Sequence, residues 1–286
     1  MDDPAKCANC SAEIEFWQDK CPVCGTPVSF PNVRKAQSEQ ETLTGLYDNA
    51  VNSAKVRGAQ DKVTILERRA NATQIVVNMP VDIIYNLIRD PVRNYISYYR
   101  LVDAEARKAA KEQHHIDRGE ADAALFPKYF DHIVYGALSC DRRGLPNYGA
   151  VGALLRDVVA PLRASLLIEN SFHFWKKYSK YRQPLPEGYR AIWSDRGRLI
   201  VVKHAASLSS ATPDSEIGRL IRRPGPDRET DDFVEVHIYD GFDKRAIEYI
   251  VLDQIPTHPH DQNRWRELKE LLAAEGIDFS EAGASP

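Results

Sequence analysis

No apolar run in this chain approaches the length needed to cross a bilayer, so a membrane-spanning helix is not expected. No sign of charge dominates either: 38 lysines and arginines stand against 41 aspartates and glutamates, for a net charge of −3. That balance creates no general basic field, and nucleic-acid binding by bulk charge alone is not expected, although a local basic patch remains compatible with it. There is no internal repeat. The opening Met1-Asp2-Asp3-Pro4 is acidic and lacks the apolar stretch of a signal peptide. The expected compartment is therefore a reducing cytoplasm. Cysteine is scarce beyond residue 24, where Cys140 stands alone in an apolar context and reads as a small buried residue rather than a nucleophile.

What cysteine there is gathers at the start. Cys7, Cys10, Cys21 and Cys24 form two CxxC pairs with ten residues between them. A CxxC pair on a tight turn aims two thiolates at one metal, and a second pair completes a tetrahedral shell. Pro22 and Gly25 supply turn chemistry beside the second pair. Two disulfides would suit a secreted chain, and redox use of CxxC usually involves one pair rather than two. The pattern predicts a structural Zn2+ whose closed thiolate shell leaves no position for a substrate. Residues 1–32 resemble the small zinc ribbons at the ends of many bacterial and archaeal proteins.

The remaining 43% apolar chain is long enough for one large core or two modest ones. Residues 33–72 read as a polar bridge, rich in Gln, Ser and Glu over 29–41, followed by a connecting helix with Leu43, Leu46, Tyr47, Val51 and Ala54 on one face. Residues 73–280 read as the main domain. Its strand at 74–79 precedes a helical part at 80–126, where Pro80 opens a helix and Asp90-Pro91 restarts one carrying Val92, Tyr95, Ile96 and Tyr99. The charged stretch 103–120 reads as a solvated helix face. A β-rich part at 130–255 has expected strands at 133–139, 148–156, 163–168, 198–203, 233–239 and 248–253. Short helices are expected near 171–178 and 244–248. Asp261 caps a last helix over 261–275 bearing Trp265, Leu268, Leu271 and Leu272. Helices first and strands after predict an α+β domain, mostly antiparallel with flanking helices.

Three stretches carry candidate chemistry. In residues 231–241 the period-two alternation puts Phe233, Glu235, His237 and Tyr239 on one face and Val234, Val236 and Ile238 on the buried one. That face is either an active-site floor or simply the wet side of a sheet. In 142–151, Arg142 and Arg143 on a Gly-Pro loop suit a phosphate or carboxylate, or are plain surface charges. In 163–172 a strand ends at Asn170-Ser171, a helix cap or a ligand contact.

Taken together, Tyr148 to Val151, Arg163 to Ser171 and Val234 to Ile238 resemble uncharacterised bacterial proteins related to the ADP-ribosyltransferase fold, over about residues 130–255. The resemblance implies NAD bound in a cleft. Glu235 would be the late-strand glutamate that stabilises the oxocarbenium-like transition state. Ser165 or Ser171 would support the nicotinamide ribose, and Arg142, Arg143 or Arg163, with Tyr148, would hold the dinucleotide. In that family the catalytic glutamate takes the second place of a Q/E-x-E motif. Here His237 holds that place: either Glu235 is displaced in register, or His237 changes the chemistry and joins the catalytic set, or the domain is not an active transferase. The acceptor would be a protein or nucleic acid delivered through the ribbon.

Two other readings stay open. One is a metal-dependent nuclease, with Glu235 and His237 ligating an ion beside Asp240 or Asp214. Arg107 with His114, the His114-His115 pair, and His258 with His260 are further candidates, each with a blander reading as solvated helix or loop. The other is a non-enzymatic adaptor that holds nucleic acid or an acidic protein face. It would use Arg142-Arg143, Arg196 and Arg198, Arg222-Arg223, and the aromatic-basic run 174–182.

Overall fold

A computed structural model describes residues 5–15, 17–104, 112–179 and 184–281. Arg107, Lys180, Tyr181 and Arg182 lie outside the described residues, as do the side chains of His114 and His115. The chain begins with a two-strand hairpin, β1 (Ala5–Lys6) and β2 (Glu13–Ile14). Three helices follow: α1 (Pro31–Ser38), α2 (Gln40–Val56) and α3 (Gln60–Asn71). Then come β3 (Gln74–Met79), α4 (Val81–Arg89), β4 (Asn94–Tyr95), α5 (Tyr98–Asp103) and α6 (Glu112–Leu125). The middle holds β5 (Ile133–Ser139), β6 (Val151–Leu155), β7 (Ala164–Leu167), α7 (Ser171–Ser179), β8 (Arg190–Ile192), α8 (Arg196–His204) and α9 (Asp214–Ile217). The last part is β9 (Arg222–Arg223), β10 (Asp232–Phe233), β11 (Glu235–Tyr239), β12 (Phe242–Asp243), β13 (Ile247–Leu252), α10 (Pro259–Glu275) and β14 (Asp278–Glu281).

The expected α+β class holds. One eight-stranded sheet runs in the order β14-β13-β6-β3-β5-β11-β7-β8. Every pairing is antiparallel except β13 with β14, which α10 makes parallel by returning the chain to the same end. One face packs against α3, α4, α8 and α10 through Ile75, Val77, Leu166, Val236, Ile238 and Ile250. The other face is covered by α1, α6 and α7, with Phe126, Tyr129 and Asn32 buried on it. Among the described residues no helix is long and apolar enough to cross a membrane.

Several expected elements are corrected. The polar bridge is helix α1: Pro31 sits at its first position, and Asn32, Val33 and Ala36 are buried against β7 and β8. The expected strand 198–203 is helix α8. Its all-apolar Leu199-Ile200-Val201 run is buried because α2 and α3 pack on it, and a fully buried run carries no period that separates strand from helix. Asp90-Pro91 does not restart a helix. Asp90 Oδ1 accepts the Val92 N–H at 3.0 Å, a turn that leaves Val92 exposed, and α5 begins only where Ser97 Oγ accepts the Arg100 N–H. Residues 146–148 and 244–246 are single 3-10 turns, and α10 starts with Pro259 after a His258 cap rather than at Asp261. In the charged stretch Asp103, Ile116 and Glu120 are exposed and Arg118 is partly covered, and the helix then runs into the buried Ala121 and Asp122.

Candidate functional site

The first candidate is the cysteine segment. Its two halves are built alike. Cys7 N–H donates to Ala12 O at 2.8 Å and Cys21 N–H to Thr26 O at 2.9 Å. The residue after each pair, Ser11 or Gly25, takes a positive φ of 60° or 70°. That left-handed residue turns each knuckle back over its own cysteines. Cys7 and Cys24 sulfurs stand 3.6 Å apart, and those of Cys10 and Cys21 3.4 Å. All four lie within 4.8 Å of one another, which suits sulfurs held about 2.3 Å from one tetrahedral metal. The Thr26 hydroxyl holds the Cys24 thiol down to about 5, while the Cys24 backbone N–H lowers Cys21. The neighbouring sulfurs push the Cys10 thiol up to about 12, the mark of thiolates crowded together, which a shared cation would stabilise. The cluster is therefore compatible with zinc, and its small core of Cys7, Ile14 and Cys21 is separate from that of the main domain.

The second candidate is the polar row on β11. The face expected to be wet is covered: Glu235 is 2% exposed and His237 1%. β11 lies between β5 and β7, so both its edges are paired, and α1, α6 and α7 close the face above it. Glu235 Oε2 accepts the Ser171 N–H at 2.6 Å, at the start of α7, and Oε1 meets Asn170 Nδ2 at 3.4 Å. His237 Nε2 lies 3.2 Å from Glu235 Oε2. Its ring is edge-on to Phe126 at 4.7 Å and Tyr135 at 5.4 Å. The side chain of Ser165 shares this face directly across from His237 and accepts from Asn32 Nδ2 at 3.2 Å. His237 Nδ1 and Ser171 Oγ are buried with no hydrogen-bond partner. Tyr148, half-buried, accepts from Asn170 Nδ2 at 3.2 Å, and burial beside the Glu235 charge pushes its phenol above the ordinary range.

Beside this row sits a charge pair that the sequence reading missed. Arg118 Nε lies 3.5 Å from Asp122 Oδ2, and its guanidinium covers the Tyr135 ring at 4.7 Å. Tyr99 donates to Asp122 at 2.7 Å. Burial raises the Asp122 carboxyl despite the opposing Arg118 charge. The available signal was the i,i+4 spacing of Arg118 and Asp122, which an exposed helix face shows equally well.

The structure thus brings Glu235, His237, Ser165, Ser171 and Tyr148 to one place, and it sends the three arginines elsewhere. Arg163 spends its Nε and Nη2 on Tyr239 O, at 3.1 and 2.7 Å, and on Gly241 O, holding the end of β11. Arg142 lies over the Tyr249 ring at 4.9 Å, and Arg143 lines a separate cleft. Asn170 is the cap of α7, its Oδ1 accepting from Phe172 N and His173 N at 3.0 and 3.3 Å. Asp240 is exposed and pairs with Arg100 at 3.0 Å, and Asp214 pairs with Lys62 at 2.7 Å, so neither joins Glu235 and His237 in a ligand set. His260 meets Asp82 at 3.2 Å with Asp261 close by, but Arg264 already stands 3.5 Å from the same carboxylate. Arg196 is stacked over Trp193 at 4.3 Å and donates to its carbonyl. Cys140 is exposed rather than buried, its thiol turned inward toward Gly218 O at 3.3 Å. The chain matches no known protein-family model and no curated protein.

Proposed function

We propose that this is a zinc-ribbon protein whose main domain transfers ADP-ribose from NAD to a macromolecular acceptor, with Glu235 and His237 at the reacting centre. One observation carries this reading: the convergence of Glu235, His237, Ser171 and Tyr148 on the central strand, with a tethered carboxylate and two unpartnered buried polar atoms. An interior chosen for stability alone would fill this place with apolar side chains, because each desolvated charge costs several kcal/mol. Such clusters are therefore functional-site candidates.

In the transfer, the bond between C1′ of the nicotinamide ribose and the ring nitrogen breaks, and its electron pair leaves with nicotinamide. An oxygen or nitrogen of the acceptor bonds to C1′ and releases its proton. Because Glu235 is buried beneath α1, α6 and α7, the transfer requires that cover to open; Glu235, fixed by the Ser171 N–H, then faces the positive charge that develops on the ribose. His237, backed by Glu235 and with Nδ1 free of partners, is placed to take the acceptor's proton. The four N-terminal thiols hold a structural zinc in a reducing cytoplasm, and the ribbon engages the acceptor. Zinc analysis of the purified chain gives one ion per molecule.

The test uses the full chain with labelled NAD and cell extract. Nicotinamide release and a labelled acceptor are expected, and Glu235→Gln lowers the rate about a hundredfold or more while leaving the far-UV spectrum unchanged. Folded, zinc-loaded protein that releases no nicotinamide overturns the reading.

A further inference from the structure

A second place in the molecule stands apart from the β11 row. The loop after β5 and the segment 215–224 enclose a cleft of about 620 Å³ that meets a second cavity of about 440 Å³, with Arg219 and Arg223 lining both. Five arginines line the larger one: Arg69, Arg143, Arg219, Arg222 and Arg223. Of these, Arg222 alone forms a contact ion pair, while Arg143, Arg223 and Arg69 act at longer range on Asp253, Asp232 and Asp214. Arg222 is buried, clamps Asp141 at 2.7 and 2.9 Å, and keeps an unpartnered Nε. Among the described residues no carboxylate forms an ion pair with Arg69, Arg143, Arg219 or Arg223.

The scaffold is held rigid. Leu145 N–H donates to Asn78 Oδ1 at 2.7 Å and Gly144 N–H to Asp253 Oδ2 at 2.9 Å, while Arg222 Nη1 donates to Gly144 O. A side chain at Gly144 would place its Cβ 2.0 Å from Asn78 Oδ1, so only glycine lets the loop lie this close. The acids of the cleft are spent on this scaffold. Asp141 is bound to Arg222, and Asp253 is occupied by Gly144 and Asn78.

We propose that this cleft binds the phosphodiester backbone of single-stranded nucleic acid. Guanidinium groups free of contact ion pairs match phosphate oxygens in pairs. The adjoining cavity adds Arg219 and Arg223 from its own side, with the Ser209 and Thr212 hydroxyls bonded to each other at 3.4 Å, Ser207 Oγ donating to His204 O, and one exposed carboxylate, Glu216, at its wall. Two open cavities that share Arg219 and Arg223 offer a track for successive phosphates, and a flexible single strand can bend along it where a stiff duplex cannot. The site is independent of the transferase chemistry.

The test is fluorescence anisotropy of the full chain with a labelled oligothymidylate of about 15 nucleotides, titrated between about 50 and 200 mM salt. Arg219 and Arg223 are exposed and carry no ion pair, so Arg219→Ala/Arg223→Ala folds normally. This variant binds at least about tenfold more weakly, and its salt slope flattens by about 1.4, or about 0.7 per lost phosphate contact. Arg143→Gln alone, on the other wall, gives a smaller change of the same sign. Unchanged affinity in both variants overturns the proposal, as does the absence of oligonucleotide binding by the parent chain. Equal binding of polyglutamate also overturns it, because the site then reads any polyanion.

Discussion

β5 links two regions that treat charge in opposite ways. Along its length Tyr135 faces His237, in an interior where Glu235, His237, Arg118 and Asp122 answer one another and solvent is shut out. Beyond its end at Ser139 the chain enters the arginine cleft, where the acids are tied into the scaffold and most cations are left without partners. The closed region costs the fold stability and must compensate itself. The open one takes little from the fold, so its charge remains available to a ligand. For the arginines, a part in folding or in ligand binding is thus read from what already neutralises each, not from residue type.

The largest expected effect breaks the closed side. Arg118→Leu removes the cation beside Asp122, which is fully buried and accepts from the Tyr99 hydroxyl at 2.7 Å. Breaking a buried pair from one side costs about 3 kcal/mol or more. Burial already raises Asp122, so its folded form favours the proton, and losing Arg118 strengthens that preference. A raised acid loses stability as pH rises through its folded value. The deficit of the variant is therefore largest near neutral pH and shrinks toward about pH 3, below the ordinary aspartate value, where Asp122 is protonated in both states. Urea unfolding at the two pH values measures it, and a deficit independent of pH contradicts the assignment.

A slightly smaller effect tests whether the interior tolerates a charge it cannot answer. His204 is buried at the end of α8, its Nε2 has no partner, and burial together with Lys203 lowers it to about 4. A base with a depressed folded value contributes stability above its unfolded value of 6.5, and that stability is lost as pH falls toward 4. The loss amounts to about 3 kcal/mol across that window. In His204→Gln the pH dependence flattens, and an unchanged profile assigns the acid lability to another group.

On the cleft side, Gly144→Ala puts a Cβ 2.0 Å from Asn78 Oδ1 and 2.6 Å from Asp253 Oδ2, so these side chains must turn away and give up their hydrogen bonds to the Leu145 and Gly144 N–H groups. A loss of about 1–3 kcal/mol is expected, in the range of overpacking. Oligonucleotide binding weakens with it, since Arg143 rides on the same loop. Full stability in this variant means that the loop is looser than its hydrogen bonds imply.

Much of the fold was legible because it follows from local pattern. The short β-branched run at 74–79, the apolar run at 133–139 and the apolar stripe of α10 are each marked by residues close together in the chain. The cysteine cluster was equally plain, since metal ligation demands residue types at fixed spacing. The β11 alternation was read correctly, and its surroundings were not. Period two says that Glu235 and His237 share a face, but only the placement of α1, α6 and α7 decides that the face is covered. The cleft was least legible. Its arginines come from residue 69, the loop after β5 and the 219–223 turn, so no local window contains the site. Arg142-Arg143 and Arg222-Arg223 stood out as basic pairs, yet nothing local indicated that Arg142 would pack on Tyr249 while Arg143 turned into the cleft.

The smallest expected effect on the fold is the most discriminating. Arg219→Ala and Arg143→Ala each change stability by no more than about 0.5 kcal/mol, the range for exposed side chains without specific partners. A null result in urea unfolding, set beside the cost of Arg118→Leu, separates the two regions by the same residue type. Arginine answered by a buried carboxylate is structural, and arginine left unanswered at a cleft is not. Suppose instead that Arg219→Ala destabilises as much as Arg118→Leu. The cleft cations then hold 215–224 against α3, through contacts like that of Arg69 with Gly218, and are not free for phosphate. Stability and oligonucleotide affinity would in that case fall together and in proportion, whereas a ligand site loses affinity alone.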